Sequence, residues 1–418
     1  MSTDLLAATE GQLSPVDLCC WPALGRPKPA PGRAAAARAL MQRIAGRAGI
    51  HIRLADGRSF GPVTGPALDI ADPWAFFTRL GRDGKIGFGE SYMAGEWDSP
   101  ELVAVLEALA RHLDTLVPQR LQRFRRFYEP RQPAAEDNDQ AGARRNIARH
   151  YDLSNELFAA FLDQTMTYSS ALFSEDRESL EQAQCRKIDR LLDATSVGDG
   201  SRVLEIGTGW GELALRAARR GAHVTTVTLS VEQAALVRRR IAAAGLSAQV
   251  DVRVEDYRDV TGRYDAVVSV EMIEAVGIRW WPTYFKAVDQ RLAVGGRVGL
   301  QTILMGHDRL LATQGSWTWI HKYIFPGGII PSEEAINEAL GAHTSLALTD
   351  RFTFADSYAI TLQRWRERFN HNAKLVDRQG FDRTFRRMWN FYLAYSEAGF
   401  RSGYLDVAQL ILRRPDDG

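Results

Sequence analysis

The sequence predicts an α/β protein: a doubly wound, mostly parallel sheet preceded by a smaller mixed α+β domain. Three observations predict it. Strands and helices alternate from about residue 200 onward, a glycine-rich turn leaves the first of those strands, and a proline- and acid-rich stretch at 129–140 separates this pattern from a different one before it. The 418 residues leave room for two cores.

Composition narrows the function classes. With 52 Lys+Arg against 51 Asp+Glu the formal net charge is +1, so nothing draws the chain as a whole to nucleic acid. An apolar fraction of 45% with 25% charged residues excludes a disordered or fibrous chain. The three cysteines, Cys19, Cys20 and Cys185, cannot build a disulfide framework or a Cys-rich zinc site, so no metal is expected and the reducing cytoplasm suits the chain. Asp4 and Glu10 stand where a signal peptide would be basic, and no run of about 18 apolar residues occurs; neither export nor a membrane span is expected.

Residues 1–35 hold Pro15, Pro22, Pro27, Pro29 and Pro31 and read as an irregular arm. The segment 36–128 reads as the smaller domain: an Ala-rich helix from about Ala34, a strand His51–Leu54 closed by Asp56-Gly57, and a helix near Pro100 to Leu113. Residues 129–140 read as a linker and 141–418 as the catalytic domain. Within the latter, Arg202–Ile206, His223–Leu229, Ala248–Val254, Tyr264–Val270 and Gly296–Thr302 are strand-like. Helices are expected through Ala214–Arg220, from Ser230 to about Ala244, and from Trp281 to Leu292. Ser230 followed by Gln233 has capping-box spacing. Ligands of such sheets bind at the carboxyl ends of the strands.

There stands Glu205-Ile-Gly-Thr-Gly-Trp-Gly211. Glycine lets the backbone take positive φ and approach a ligand closely. The spacing of Gly207, Gly209 and Gly211 is GxGxG, with the acid Glu205 before the loop, unlike the GxGxxG of dinucleotide sites. An acid-GxGxG turn is the first motif of Rossmann-like S-adenosylmethionine methyltransferases of class I; a plain strand-to-helix turn is the other reading. The acid such enzymes carry at the end of the second strand is missing, for Val227-Thr-Leu-Ser230 stands there.

Further motifs carry a closer likeness. Arg145-Asn-Ile-Ala-Arg-His-Tyr-Asp-Leu-Ser-Asn155, Thr167-Tyr-Ser-Ser-Ala-Leu-Phe173, Thr228-Leu-Ser-Val-Glu-Gln233, Asp256-Tyr-Arg-Asp259, Val268-Ser-Val-Glu-Met-Ile-Glu-Ala-Val-Gly277 and Asn390-Phe-Tyr-Leu393 resemble, in order, the cyclopropane fatty acid and mycolic acid synthases. Ile86 to Trp97, Thr318 to Gly328 and Tyr395 to Tyr404 resemble the tuberculostearic acid methyltransferases within that family. The resemblance implies methyl transfer from S-adenosylmethionine to the cis double bond of an unsaturated phospholipid acyl chain, through a carbocation. It places Tyr168, Ser169, Gly207, Gly209, Thr228, Leu229, Gln233 and Tyr257 around the cofactor, together with Glu205, Gly211 and Asp256 of the same motifs. Gln233 has a rival role as a helix cap, and Tyr168 as a core aromatic.

An alkene is a weak nucleophile, so alignment must supply much of the rate. The cation left behind needs shielding from water and aromatic faces, for which Trp317, Trp319, Tyr323, Phe325, Trp389, Phe391, Tyr392 and Tyr395 are candidates, each equally readable as ordinary core. A base must then take a proton. Loss from the new methyl closes a cyclopropane, whereas loss from a chain carbon leaves a methylene or unsaturated branch that a separate reductase could saturate. In cyclopropane-forming relatives the resemblance implies a bicarbonate base held around a Cys, a Glu, a His and a Tyr. Glu274 and Tyr392 match, Ser170 replaces the Cys and Gln301 the His. Losing the His removes a cationic partner for the anion, which speaks against bicarbonate and for a branched product over a cyclopropane. A side-chain carboxylate is the simplest substitute. Where the subgroup usually reads Leu-Asp-Glu-Thr-Met, this chain has Leu162-Asp-Gln-Thr-Met166, and Gln164 cannot titrate. A catalytically silent lipid-binding relative is the reading from another class, opposed by the intact glycine loop.

Arg120, Arg123, Arg125, Arg126 and Arg131, interleaved with Leu121, Phe124, Phe127 and Tyr128, suit either an anionic bilayer surface or a solvated face. The expected partner is therefore an unsaturated phospholipid in an anionic membrane, met peripherally at its cytoplasmic face. No nucleic acid is expected, and a homo-oligomer is left open.

Overall fold

A computed structural model describes residues 16–112, 133, 136–140, 142–143, 145–146, 154–175 and 177–414. The basic aromatic stretch at 119–128 and most of Arg145–Asn155 lie outside the described residues.

Helix α1 (Pro31–Ala48) begins inside the expected arm, because proline at the first helical position loses no hydrogen bond, and it ends at Gly49 with φ 68°. β1 (His51–Leu54) pairs antiparallel with β2 (Ser59–Phe60) and parallel with β3 (Ala67–Ile70), which pairs with β4 (Trp97–Asp98). Between β3 and β4 runs α2 (Pro73–Met93), capped by Asp72 accepting from Ala75 N and broken at Gly84. After β4 comes α3 (Leu102–Arg111).

The second sheet has seven strands in the order β10-β11-β9-β8-β5-β6-β7. β5 (Arg202–Ile206), β6 (His223–Thr228), β7 (Val250–Val254), β8 (Tyr264–Val270) and β9 (Leu292–Met305) are parallel, as the sequence predicts. The antiparallel edge of β10 (Ala347–Thr353) and β11 (Leu405–Arg413) was not expected. β10 alternates exposed and half-buried side chains and carries Asp350 and Arg351, so its run looks like loop until β11 pairs with it.

Helices cover both faces. α4 (Asn155–Phe161) and α5 (Leu180–Ala194) precede β5; α6 (Glu212–Arg219) and α7 (Val231–Ala243) follow β5 and β6; α8 (Trp281–Arg291) follows β8. α9 (His307–Thr313), α10 (Trp319–Tyr323) and α11 (Glu333–His343) follow β9, and α12 (Ala355–His371), α13 (Ala373–Arg378) and α14 (Arg383–Arg401) lie between β10 and β11.

Two apolar clusters flank the large sheet, and a third runs from Leu24 to Val407. In the third, Phe88, Tyr92 and Trp97 stack around Phe391 of α14, so the small sheet's helices and the carboxyl-terminal helices share one core. The expected linker is docked as well. Asn138 is buried and donates to Gly327 O at 2.9 Å, and Glu136 accepts from Trp317 Nε1 at 3.0 Å.

Candidate active site

The carboxyl ends of β5, β6 and β8 open onto one cavity. Every residue that the motifs place around the cofactor lines it: Tyr168, Ser169, Glu205, Gly207, Gly209, Gly211, Thr228, Leu229, Gln233, Asp256 and Tyr257. The three loop glycines all have positive φ, at 95°, 50° and 90°. A Cβ on Gly207 would meet Met272 Cγ at 3.1 Å and one on Gly211 would meet Val237 Cγ1 at 2.7 Å, whereas one on Gly209 would meet no protein atom within 4 Å. Gly209 therefore presents bare backbone to the cavity, as a closely approaching ligand requires.

Gln233 fills only half of the expected capping box. Its N–H donates to Ser230 Oγ at 3.2 Å, but its side-chain oxygen accepts from Thr228 Oγ1 at 2.9 Å. The amide's NH₂ end is thereby turned to ligand chemistry. Glu205 is buried, accepts from Thr226 Oγ1 at 2.6 Å, and is pushed up by burial to about 8. Asp256 has both carboxylate oxygens on Arg258, so its charge holds the turn after β7. Tyr168 satisfies both of its readings: it lines the cavity, packs on Phe158 and Trp365, and its hydroxyl meets that of Tyr392 at 2.8 Å.

The catalytic candidates sit behind this lining. Ser170 N and Gln301 Nε2 both donate to Glu271 Oε1 at 2.9 Å, and Gln301 Oε1 accepts from Gln409. Glu274 accepts on Oε1 from Thr302 Oγ1 at 3.0 Å and Ile303 N at 2.6 Å, while its buried Oε2 has no hydrogen-bond partner among the described residues. Burial first, and then the neighbouring Glu271, push Glu274 up to about 8. Gln164 is exposed and outside the cavity lining, which separates it from the other candidates. Of the expected aromatic walls, Trp389 and Phe325 pack on Tyr392, whereas Trp319 and Tyr323 pack toward α2 and its Glu90.

Three polar residues passed over in the sequence come to the site. Lys187, fully buried on α5, lines the cavity and donates to Ser169 Oγ at 2.6 Å; burial lowers it to about 8 against the pull of Glu271 and Asp163. Glu271 lines the cavity, and Tyr358 donates to its Oε2 at 2.6 Å. A signal for Lys187 existed: Leu180, Ala183, Gln184, Lys187, Ile188 and Leu191 form one apolar stripe with a lysine in it. Glu271 was marked by its place directly after a core strand and inside the motif Val268–Gly277, neither of which gave it a role.

A family model described as mycolic acid cyclopropane synthetase matches residues 138–410. The chain belongs to that family. It is 53% identical over 412 residues to a tuberculostearic acid methyltransferase of Mycobacterium tuberculosis, covering 96% of each chain. It is 34% identical over 344 residues to a cyclopropane-fatty-acyl-phospholipid synthase of Escherichia coli, covering 81% of this chain and 86% of that one. Among solved structures, a cyclopropane synthase of Mycobacterium tuberculosis aligns with TM-score 0.59 and 31% identity over 64% of this chain and 97% of its own. A mycolic acid cyclopropane synthase solved with SAH aligns with TM-score 0.60 and 28% identity over 67% of this chain and 98% of its own. This synthetase-family chain is thus an S-adenosylmethionine-dependent methyltransferase. The bare Gly209 backbone and the Thr228–Gln233 pair fit that cofactor.

Proposed function

We propose that the protein methylates the cis double bond of an unsaturated acyl chain carried on a phospholipid, leaving a methylene- or methyl-branched chain of the tuberculostearic type. The observation that carries this reading is the Tyr168–Tyr392 hydrogen bond, which joins the cofactor cavity to the aromatic face of α14. An acyl chain needs such an apolar surface, and a nascent cation needs those rings. When bound, S-adenosylmethionine supplies an electrophilic methyl on a sulfonium. The chain's own residues would hold it: Gly207, Gly209, Thr228, Leu229, Gln233, Tyr257, Tyr168 and Ser169 line the cavity, Ser169 itself steadied by Lys187. Gln301 in place of a histidine favours the branched product. The stretch Arg120–Arg131 would bring the enzyme to an anionic membrane, and a separate reductase would saturate a methylene product. Among the described residues no helix is long and apolar enough to cross a membrane.

The test is expression in a host rich in oleoyl phospholipid, followed by mass and proton spectra of its fatty acids. A new branched acid is expected. Cyclopropane ring protons would transfer the assignment to the cyclopropane synthase reading, and no new acid despite retained SAH affinity would leave a silent lipid-binding protein.

A further inference from the structure

We propose that the Glu271 carboxylate is the base that removes the proton from the methylated acyl chain, an inference that rests on the methyl-transfer reading above. Glu271 leaves β8 with φ 50°, a left-handed conformation that strains a non-glycine residue and persists where surrounding structure over-determines it. Here three donors do so: Ser170 N and Gln301 Nε2 on Oε1, and Tyr358 OH on Oε2. Both lone pairs of Oε1 are engaged, while Oε2 keeps one. The residue lines the cofactor cavity beside Gly207 and Met272, so this acid is part of the wall that a bound ligand meets.

The other acids of the region are committed elsewhere. Asp256 is held by Arg258, Glu212 by Arg240, Glu255 stands 3.7 Å from the Arg253 guanidinium, and Glu205, raised to about 8 by burial, is mostly protonated at neutrality and accepts from Thr226. Glu274 lies outside the cavity lining and is driven toward its neutral form by burial and by Glu271. Burial raises Glu271 as it raises Glu274, but on Glu271 the Lys187 ammonium, the Tyr358 hydroxyl, the Gln301 amide and the Ser170 N–H pull back toward the charged form. Ser170 N and Gln301 Nε2 thus hold a carboxylate of the chain itself, so the base needs no exogenous anion at that position.

The step balances. The alkene's electron pair forms the new C–C bond as the C–S bond breaks, leaving a cation on the adjacent chain carbon. The hydrogen on the methyl-bearing carbon moves with its electron pair to the cationic carbon, which places the charge on the branched carbon; a C–H bond of the new methyl then breaks, its electron pair becomes the C=C bond of the methylene branch, and the proton goes to the Glu271 carboxylate. Glu271 is left neutral and returns the proton to water after product leaves.

The test uses the full chain, vesicles containing dioleoyl phosphatidylglycerol, and S-adenosylmethionine labelled in its methyl group. Glu271→Gln is expected to lower kcat by about 10²–10⁴-fold while SAH affinity, by calorimetry, stays within about threefold. Glu271→Gly suits the left-handed backbone and opens the anion site, so added formate or bicarbonate should restore part of its turnover, which a merely structural role would not allow. The parent should be indifferent to bicarbonate, and Gln164→Glu should change kcat by less than about threefold. A Glu271→Gln protein that turns over like the parent overturns the proposal. So does a parent that stops when bicarbonate is depleted, or a gain above about tenfold from Gln164→Glu. If the parent labels no lipid at all, the methyl-transfer reading fails and takes this one with it; a parent that labels lipid confines any failure to the base.

Discussion

A buried acid beside a cofactor loop links protonation to stability. Glu205 ionises near 4.5 in an unfolded chain and near 8 in the fold, because burial penalises its charge more than the Thr226 hydroxyl supports it. Between those values the native state holds a proton that the unfolded state has released. The favourable contribution is therefore complete below pH 4.5 and is lost as the pH rises to about 8. Glutamine keeps the acceptor for Thr226 and cannot titrate. Without ligand, Glu205→Gln should melt close to the parent at about pH 5 and above it at about pH 8, read by calorimetry at both. Parallel melting curves would show that Glu205 is ionised throughout. At the same scale, the motif residues that line the cavity were legible because each sits in a local pattern. The surroundings of Glu271 were not legible in its motif, because Ser170, Gln301 and Tyr358, which donate to it, lie 101, 30 and 87 positions away in the chain.

Among elements, the turn from β5 into α6 does two jobs with neighbouring glycines. Gly211 faces α7, where a Cβ would come within 2.7 Å of Val237 Cγ1 and 3.1 Å of its Cγ2. Gly209 faces the cavity. Gly211→Val should therefore lower thermal stability by roughly 1–3 kcal/mol or more, through overpacking against α7. Gly209→Val should leave a chain that still melts cooperatively but has lost SAH binding by about a hundredfold or more, since its side chain can only enter ligand space. Calorimetric titration with SAH beside thermal melts of both variants checks this. Unchanged affinity in Gly209→Val would remove the loop from the site. The parallel strands were readable from their apolar runs, and α7 from its Ser230 cap. β10 was not, because its pairing with β11 supplies what its own sequence lacks.

For the whole molecule, the shared core decides what can be cut. Phe391 of α14 touches Phe88, Tyr92 and Trp97 from the amino-terminal half and Trp319 from α10. Glu90 of α2 reaches the other way, accepting from Lys322 and from Tyr323 OH. Deleting residues 1–112 would bare this surface and leave Lys322 without its acid. Large aromatic losses of this kind cost roughly 3–5 kcal/mol each, comparable to the stability of a whole domain. The truncated chain should be insoluble, or should lack a cooperative melt and bind no SAH. A soluble, SAH-binding truncation would mean that the methyltransferase half folds alone.

Local chemistry was enough to read the parallel core strands, the glycine loop and the helix starts, since strand runs, caps and positive-φ glycines act over a few residues, while the family resemblance pointed to the other side chains that line the cavity. The tertiary structure decided the rest. It placed the carboxyl-terminal helices in one core with the amino-terminal half, set Gln164 at the surface, and gathered Ser170, Gln301 and Tyr358 around Glu271. The physical reason is that a carboxylate's role depends on which donors and charges surround it, and here folding brings those together from four separate parts of the chain.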